Sequence, residues 1–165
     1  MGPYSEVIQS ITINGPTGSD YILGTWKPYK YAVWSNDTEF VGDWFMYTAG
    51  GGRVCLDDDR FTFTSSTFST SHGSDTWVEG RQGDSDSCGT PIAPYIDGDF
   101  TYSISGDNLK LVGAGAYLML PKAVNGSESG SADERTYVVK SINDTDVKLS
   151  INVGGNFWNI WLQKI

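Results

Sequence analysis

"RTYVVKSINDTDVKLSINVGGNFWNIWLQKI" closes the chain, spanning residues 135–165, and its reading decides the fold class. Three runs, "RTYVVKSI" (135–142), "DVKLSINV" (146–153) and "NFWNIWLQKI" (156–165), alternate apolar and polar residues with period two. That is the spacing of half-buried strands, whose side chains point to opposite faces in turn. The breaks between them, "NDT" and "GGN", are turn formers. The stretch therefore reads as three antiparallel strands in consecutive hairpins. Trp158 and Trp161 are three residues apart, so they face opposite sides and one of them faces outward.

The same pattern continues upstream. "DFTYSIS" (99–105) places Phe100, Tyr102 and Ile104 on one face, "GDN" turns the chain, and "LKLVG" (109–113) puts Leu109 and Leu111 inside. In "RFTFT" (60–64), Phe61 and Phe63 share a face, and "SSTFSTS" (65–71) returns as the second arm of a hairpin. "DTWVE" (75–79) sets Trp77 and Glu79 on one face and Val78 on the other. "GAYLMLP" (115–121) reads as a further apolar strand, and "YILGTWKPY" (21–29) as a strand ended by Pro28. No window of helical length carries a 3.6-residue period. Eight to ten short strands in sequential order predict an all-β domain, a single antiparallel meander that closes into a barrel, with a β-sandwich as the alternative. Closure removes the strand edges on which sheets aggregate.

A length of 165 residues suits one domain. Residues 1–20 read as an N-terminal extension or linker broken by "NGPTGSD", held against the barrel or a neighbouring molecule, and residues 21–165 as the barrel domain. Scarce charge (19%), 13% aromatics and twenty glycines mark a secreted or surface β domain. The net charge of −9, with no basic stripe, argues against nucleic acid and against an anionic membrane surface as partners. No run approaches the roughly 20 apolar residues that span a bilayer. "MGPYSEVIQS" has no leader pattern, so the expected contexts are a mature exported protein, an excised domain, or part of a virus particle.

Cys55 and Cys88 flank turn-like segments, "RVCLDDDR" and "SDSCGTP". A bridge between them is the expected pairing, with two buried thiols as the alternative. Zinc is a poor match, because His72 is the only histidine.

"GTW" (24–26) resembles the lipocalin signature, in which the Trp plugs the closed end of an eight-stranded up-and-down barrel. "VCLDDDRFTFTSSTFS" (54–69) is similar to a second block of bacterial lipocalin-like domains. From about residue 22 onward, "WSNDT", "CLDDDRFTF", "DTWVEGRQG", "CGTPIAP" and "GAGAYLMLPKAVNG" resemble, in order, a domain of secreted proteins of marine Bacteroidetes. That domain is often attached to laminarinase-like glycosidases, and similar segments occur in marine phage structural proteins. The chain departs from the pattern at Arg81, where relatives tend to have Trp. The late lipocalin Arg that packs on the first Trp is also not evident; Lys164 is the nearest cation. The resemblance thus implies a lipocalin-like barrel rather than a particular ligand.

Trp26 has apolar neighbours, Ile22 and Leu23, and reads as structural core whose indole N–H needs a partner such as a backbone carbonyl. His72, in "STSHGSDT", reads as an exposed turn residue with no nucleophile elbow near it. Of Glu39, Glu79, Glu128 and Glu134, Glu79 is the best single acid, but the Glu-x-Asp-x-x-Glu motif of laminarinase-type hydrolases is absent and no catalysis is expected. Asp57/Asp59, Asp84/Asp86, Asp97/Asp99 and Asp144/Asp146 read as turn chemistry, so neither metal nor cofactor is expected. Calcium at "DSDSCGT" or "DGD" is the alternative.

Sugar binding rests on the surplus aromatics. Trp34 and Trp44 lie in a polar, loop-like insertion between the first strand and "RVCLDDD", and Trp77, Glu79 and Gln82 form a second cluster. The leading expectation is a non-catalytic module for an extracellular polysaccharide, with Trp34, Trp44 and Trp77 stacking on sugar rings and Asn36, Glu79 and Gln82 hydrogen-bonding hydroxyls. Two rivals are a decoration or fibre subunit on a virion or cell surface, joined through the N-terminal extension, and a carrier of a small apolar ligand. In the carrier, "GAGAYLMLPKAVNG" would line the barrel and Tyr117 cap its mouth.

Overall fold

The computed structural model describes residues 18–38, 45–82, 86–128 and 131–165. Among the described residues one helical turn, α1 (Gly18–Ile22), is followed by eleven strands. These are β1 (Gly24–Trp34), β2 (Phe45–Thr48), β3 (Arg60–Phe63), β4 (Phe68–Ser71), β5 (Thr76–Val78), β6 (Ser87–Gly89), β7 (Gly98–Ser105), β8 (Asn108–Val112), β9 (Glu134–Ile142), β10 (Asp146–Asn152) and β11 (Phe157–Lys164). Single 3₁₀ turns occupy Val54–Leu56 and Gly80–Gln82.

Strands β1, β3, β4, β7, β8, β9, β10 and β11 pair antiparallel in that order, and β11 pairs back onto β1 from Trp26↔Lys164 to Trp34↔Phe157. The result is a closed eight-stranded barrel, and the meander read from the alternation is the observed topology. β2 lies outside this ring, paired with the Lys30–Val33 half of β1, while β3 takes the Gly24–Trp26 half. β5 and β6 form a separate two-stranded ribbon.

Inward residues follow the predicted period. Phe61 and Phe63, Leu109 and Leu111, Val147, Leu149 and Ile151, and Trp158, Ile160 and Leu162 are all buried in the core. Phe100, Tyr102 and Ile104 share the inner face of β7, half-buried. Trp158 points in and Trp161 out, with Tyr29 edge-on to the Trp161 ring at 4.7 Å.

The two ends of the barrel differ. At one end the strands are joined by the tight turns 64–67, 106–107 and 143–145. Trp26 is fully buried there, and its indole N–H donates to the Ile22 carbonyl at 2.7 Å. Lys164 sits over the Trp26 ring at 4.8 Å and donates to the Tyr21 carbonyl at 2.9 Å. At the other end lie the long connections 35–59, 72–97 and 113–133, which form a mouth.

Four local readings are corrected. β1 does not stop at Pro28; it continues to Trp34, and the register shifts between Pro28 and Lys30 absorb the missing N–H. Trp34 is therefore the last residue of a strand rather than part of a loop. "YIL" opens on the helical turn α1. "GAYLMLP" is not a strand: residues 116–120 are almost fully buried but irregular. The proposed extension over 1–20 lies, for residues 1–17, outside the described residues, as does Trp44.

Candidate functional site at the barrel mouth

The mouth is built by cross-links between loops. The Cys55–Cys88 disulfide joins the first 3₁₀ turn to β6. Beside it, His72 and Asp59 are both fully buried, with Nδ1 and Oδ1 3.3 Å apart and out of line for a hydrogen bond. The Thr76 hydroxyl donates to the other Asp59 oxygen at 2.8 Å, and the His72 backbone N–H donates to Asp97 at 2.8 Å. Tyr117 stacks on the His72 ring, with its hydroxyl 3.3 Å from Nε2. His72 is thus a packed interior residue, which corrects the exposed-turn reading: a turn sequence cannot show that Asp59 waits on a neighbouring loop. Burial pushes the Asp59 carboxyl above its ordinary value, and His72 and Thr76 oppose that shift.

The segment 113–124 folds into this end as a plug. Arg135, fully buried on β9, donates to the carbonyls of Ala116 (2.9 Å), Pro121 (2.8 Å) and Ala123 (3.0 Å). Tyr137 accepts from the Leu118 N–H at 3.1 Å. Ala116, Leu118, Met119, Leu120 and Ala123 join the core. Glycine is required at 115, since a Cβ there would lie 2.2 Å from the Pro94 carbonyl oxygen.

Three cavities with shared lining residues lie among the connections of the mouth. The first, about 290 Å³, is lined by Glu79, Arg81, Gln82, Tyr95 and Lys122 among others. Lys122 also lines the second, about 600 Å³, with Val33, Phe45, Arg53, Glu128 and Trp158. Phe45 and Arg53 continue into the third, about 520 Å³, with Tyr47 and Trp77. Arg53 lies between Phe45 and Trp77, its guanidinium carbon 4.2 and 4.1 Å from the two ring centroids, and its Nη1 donates to the Tyr31 hydroxyl. Burial pushes that hydroxyl far above the usual tyrosine range, so it stays protonated. Lys122 sits over Trp158 at 5.2 Å, and the Trp158 indole donates to Glu128 at 2.5 Å.

Glu79 is 5% exposed, and its Oε1 has no hydrogen-bond partner within the protein; the same holds for the Trp77 indole N–H. Burial raises the Glu79 carboxyl above its ordinary value, while Lys122 and Arg53 pull it back.

The residues expected to bind sugar are divided by the fold. Glu79 and Gln82 line the first cavity, where the Gln82 carbonyl accepts the Glu79 N–H at 2.8 Å, and Trp77 lines the third, with Arg53 over its ring. Trp34 alternates with inward Val33 and lies on the outer side of β1. Asn36 is turned on itself, accepting from the Thr38 N–H and hydroxyl. Trp34 and Asn36 are therefore not part of the mouth, because one residue of register moves a side chain to the other face.

Arg53, Lys122, Phe45 and Trp158 were not picked out as site residues in the sequence. The one available signal was Arg53 standing as a lone cation between "GG" and an acidic run.

Among the described residues no three of His, Cys, Asp and Glu converge as metal ligands. Asp57 accepts from Tyr47 and Gly50, Asp97 from His72, and Asp99 from Ser69. These are loop and strand ties. No described helix is long and apolar enough to cross a membrane.

No family model matches the chain, and no curated protein matches it significantly. Among solved structures it is similar to a lipocalin-like protein from Bacteroides uniformis, at 13% identity and TM-score 0.45, over 87% of this chain and 98% of that one. An uncharacterized protein from Bacteroides eggerthii gives 13% identity and TM-score 0.44, over 87% and 99%. The eight-stranded closure itself is read from the pairing described above.

Proposed function

We propose that this barrel is a non-catalytic binding protein for a carbohydrate, taken at the mouth rather than on an outer row of tryptophans. One observation carries the reading. Glu79 Oε1 and the Trp77 indole N–H, an acceptor and a donor, are buried beside the mouth cavities with no partner in the protein. Unpaired buried polar groups cost roughly 1–3 kcal/mol each, and a polyhydroxylated ligand satisfies both kinds. The cavities are walled by rings and apolar side chains with a few polar groups, the usual make-up of a sugar cleft. The disulfide fits an extracellular or cell-surface setting, with a virion as the alternative. The resemblance to modules carried beside laminarinase-like enzymes makes β-glucan the first probe.

The test is tryptophan fluorescence during titration with laminarin and xylo-oligosaccharides, with light scattering for mass. A saturable change that is lost in Trp77→Ala and retained in Trp34→Ala is expected. Silence toward every glycan, with a defined multimer in scattering, would favour the surface-subunit reading. Exposed Phe45, Met46 and Val54 on the rim are the side chains a neighbouring subunit would cover.

A further inference from the structure

The mouth cavities are lined by three cations, Arg53, Arg81 and Lys122, in a protein of net charge −9. Among the described residues, Arg53 and Lys122 each lie outside every ion pair, the pairs being His72–Asp59, Lys110–Glu134 and Lys140–Asp37. The side-chain partner of Arg53 is the neutral Tyr31 hydroxyl. Its guanidinium carbon lies over both the Phe45 and the Trp77 rings, and Arg53 lines two cavities along which a ligand can approach its remaining N–H groups. A planar anion entering edge-on between two rings makes the paired, parallel hydrogen bonds for which a guanidinium is shaped. Lys122 stands at the junction of the first and second cavities, beside the buried, unpartnered Glu79 oxygen. The next sugar along the cleft would meet a cation and a hydroxyl partner there.

Resting on the glycan reading, we infer that the ligand is a glycan carrying an isolated carboxylate, a single uronate, held edge-on by Arg53 between Phe45 and Trp77 with its neighbouring sugar at Lys122 and Glu79. Net charge selects for sparse rather than dense acidity. A polymer charged at every residue is repelled by the acidic surface as a whole and by Glu79 and Glu128 in the mouth, whereas one carboxylate seated at Arg53 can leave those positions to neutral sugars.

The experiment is calorimetric titration of the full chain with three probes: xylotetraose, xylotetraose bearing one glucuronate branch, and xylotetraose monosulfate. The glucuronate form is expected to bind roughly tenfold or more tighter than the neutral one. Arg53→Gln should weaken the glucuronate form far more than the neutral one and so erase the preference, while Arg53→Lys, which keeps the charge but loses the fork, should retain only part of it. Arg53→Lys keeps a cation between the rings, and its melting temperature checks that the site still folds.

Equal affinity for neutral and acidic forms, or a preference that survives Arg53→Gln, overturns the inference and leaves the glycan reading standing. Tighter binding of the sulfate than of the glucuronate overturns the carboxylate assignment. No response to any of the three, with laminarin also silent, removes the glycan reading and this inference together.

Discussion

Glu79, the acceptor in the proposed binding role, is also a liability for folding. Its folded-state value is raised by burial, so the native protein holds a proton there that the unfolded chain releases. The Glu79 contribution to stability is fully present below the ordinary glutamate value of 4.5 and is lost as pH rises through the folded-state value. Glu79→Gln removes the charge while keeping the shape. Its melting temperature should match that of the parent near pH 4 and exceed it at pH 7, by roughly 2–4 °C for each kcal/mol relieved. A gap that stays constant with pH would show that Glu79 is not the titrating group. The same substitution should weaken ligand binding, the exchange of stability against function expected at a built site. Residue-level reading of the sequence succeeded where chemistry is local. Trp26 beside Ile22 is legible as core, and its indole partner is four residues away. It failed where the partner is distant: Arg53 and Trp77 meet from different loops, and His72 finds Asp59 across another.

Among the elements, the plug at 113–124 depends on a single side chain. Arg135 satisfies three carbonyls of a segment with no strand or helix to pair them. Arg135→Met should leave those carbonyls unpaired and cost about 3–5 kcal/mol, read as a lowered urea midpoint. Arg135→Lys should rescue only part, since an ammonium cannot reproduce the spread of the guanidinium fork. Alternation made the strands of 134–164 legible, because one face of each is buried and the other wet. The plug defeated the same logic. "AYLML" is apolar throughout, and a short apolar run has no period to separate strand from buried loop. Only the glycines before it signalled close packing, and Gly115 against Pro94 is where that signal is realised.

For the molecule as a whole, the disulfide bears on the mouth more than on the barrel. It ties the β1–β3 connection to the β4–β7 connection, across a sequence separation of 33 residues. Reduction, or Cys55→Ser with Cys88→Ser, should lower stability by about 3–4 kcal/mol. Far-UV circular dichroism of the folded form should stay unchanged, because the eight-strand ring closes through β1 and β11 without it. Ligand affinity should drop more than barrel content does, and loss of both together would show that the bridge holds the barrel itself. The closed end has a different consequence. Lys164 reaches Tyr21, and the Ile165 N–H donates to Thr25, so α1 and the last residues of β11 are fastened side by side at the closed end. A surface linkage made through a side chain of α1 would hold the barrel by its base and leave the mouth facing outward, like the cup of a goblet on its stem.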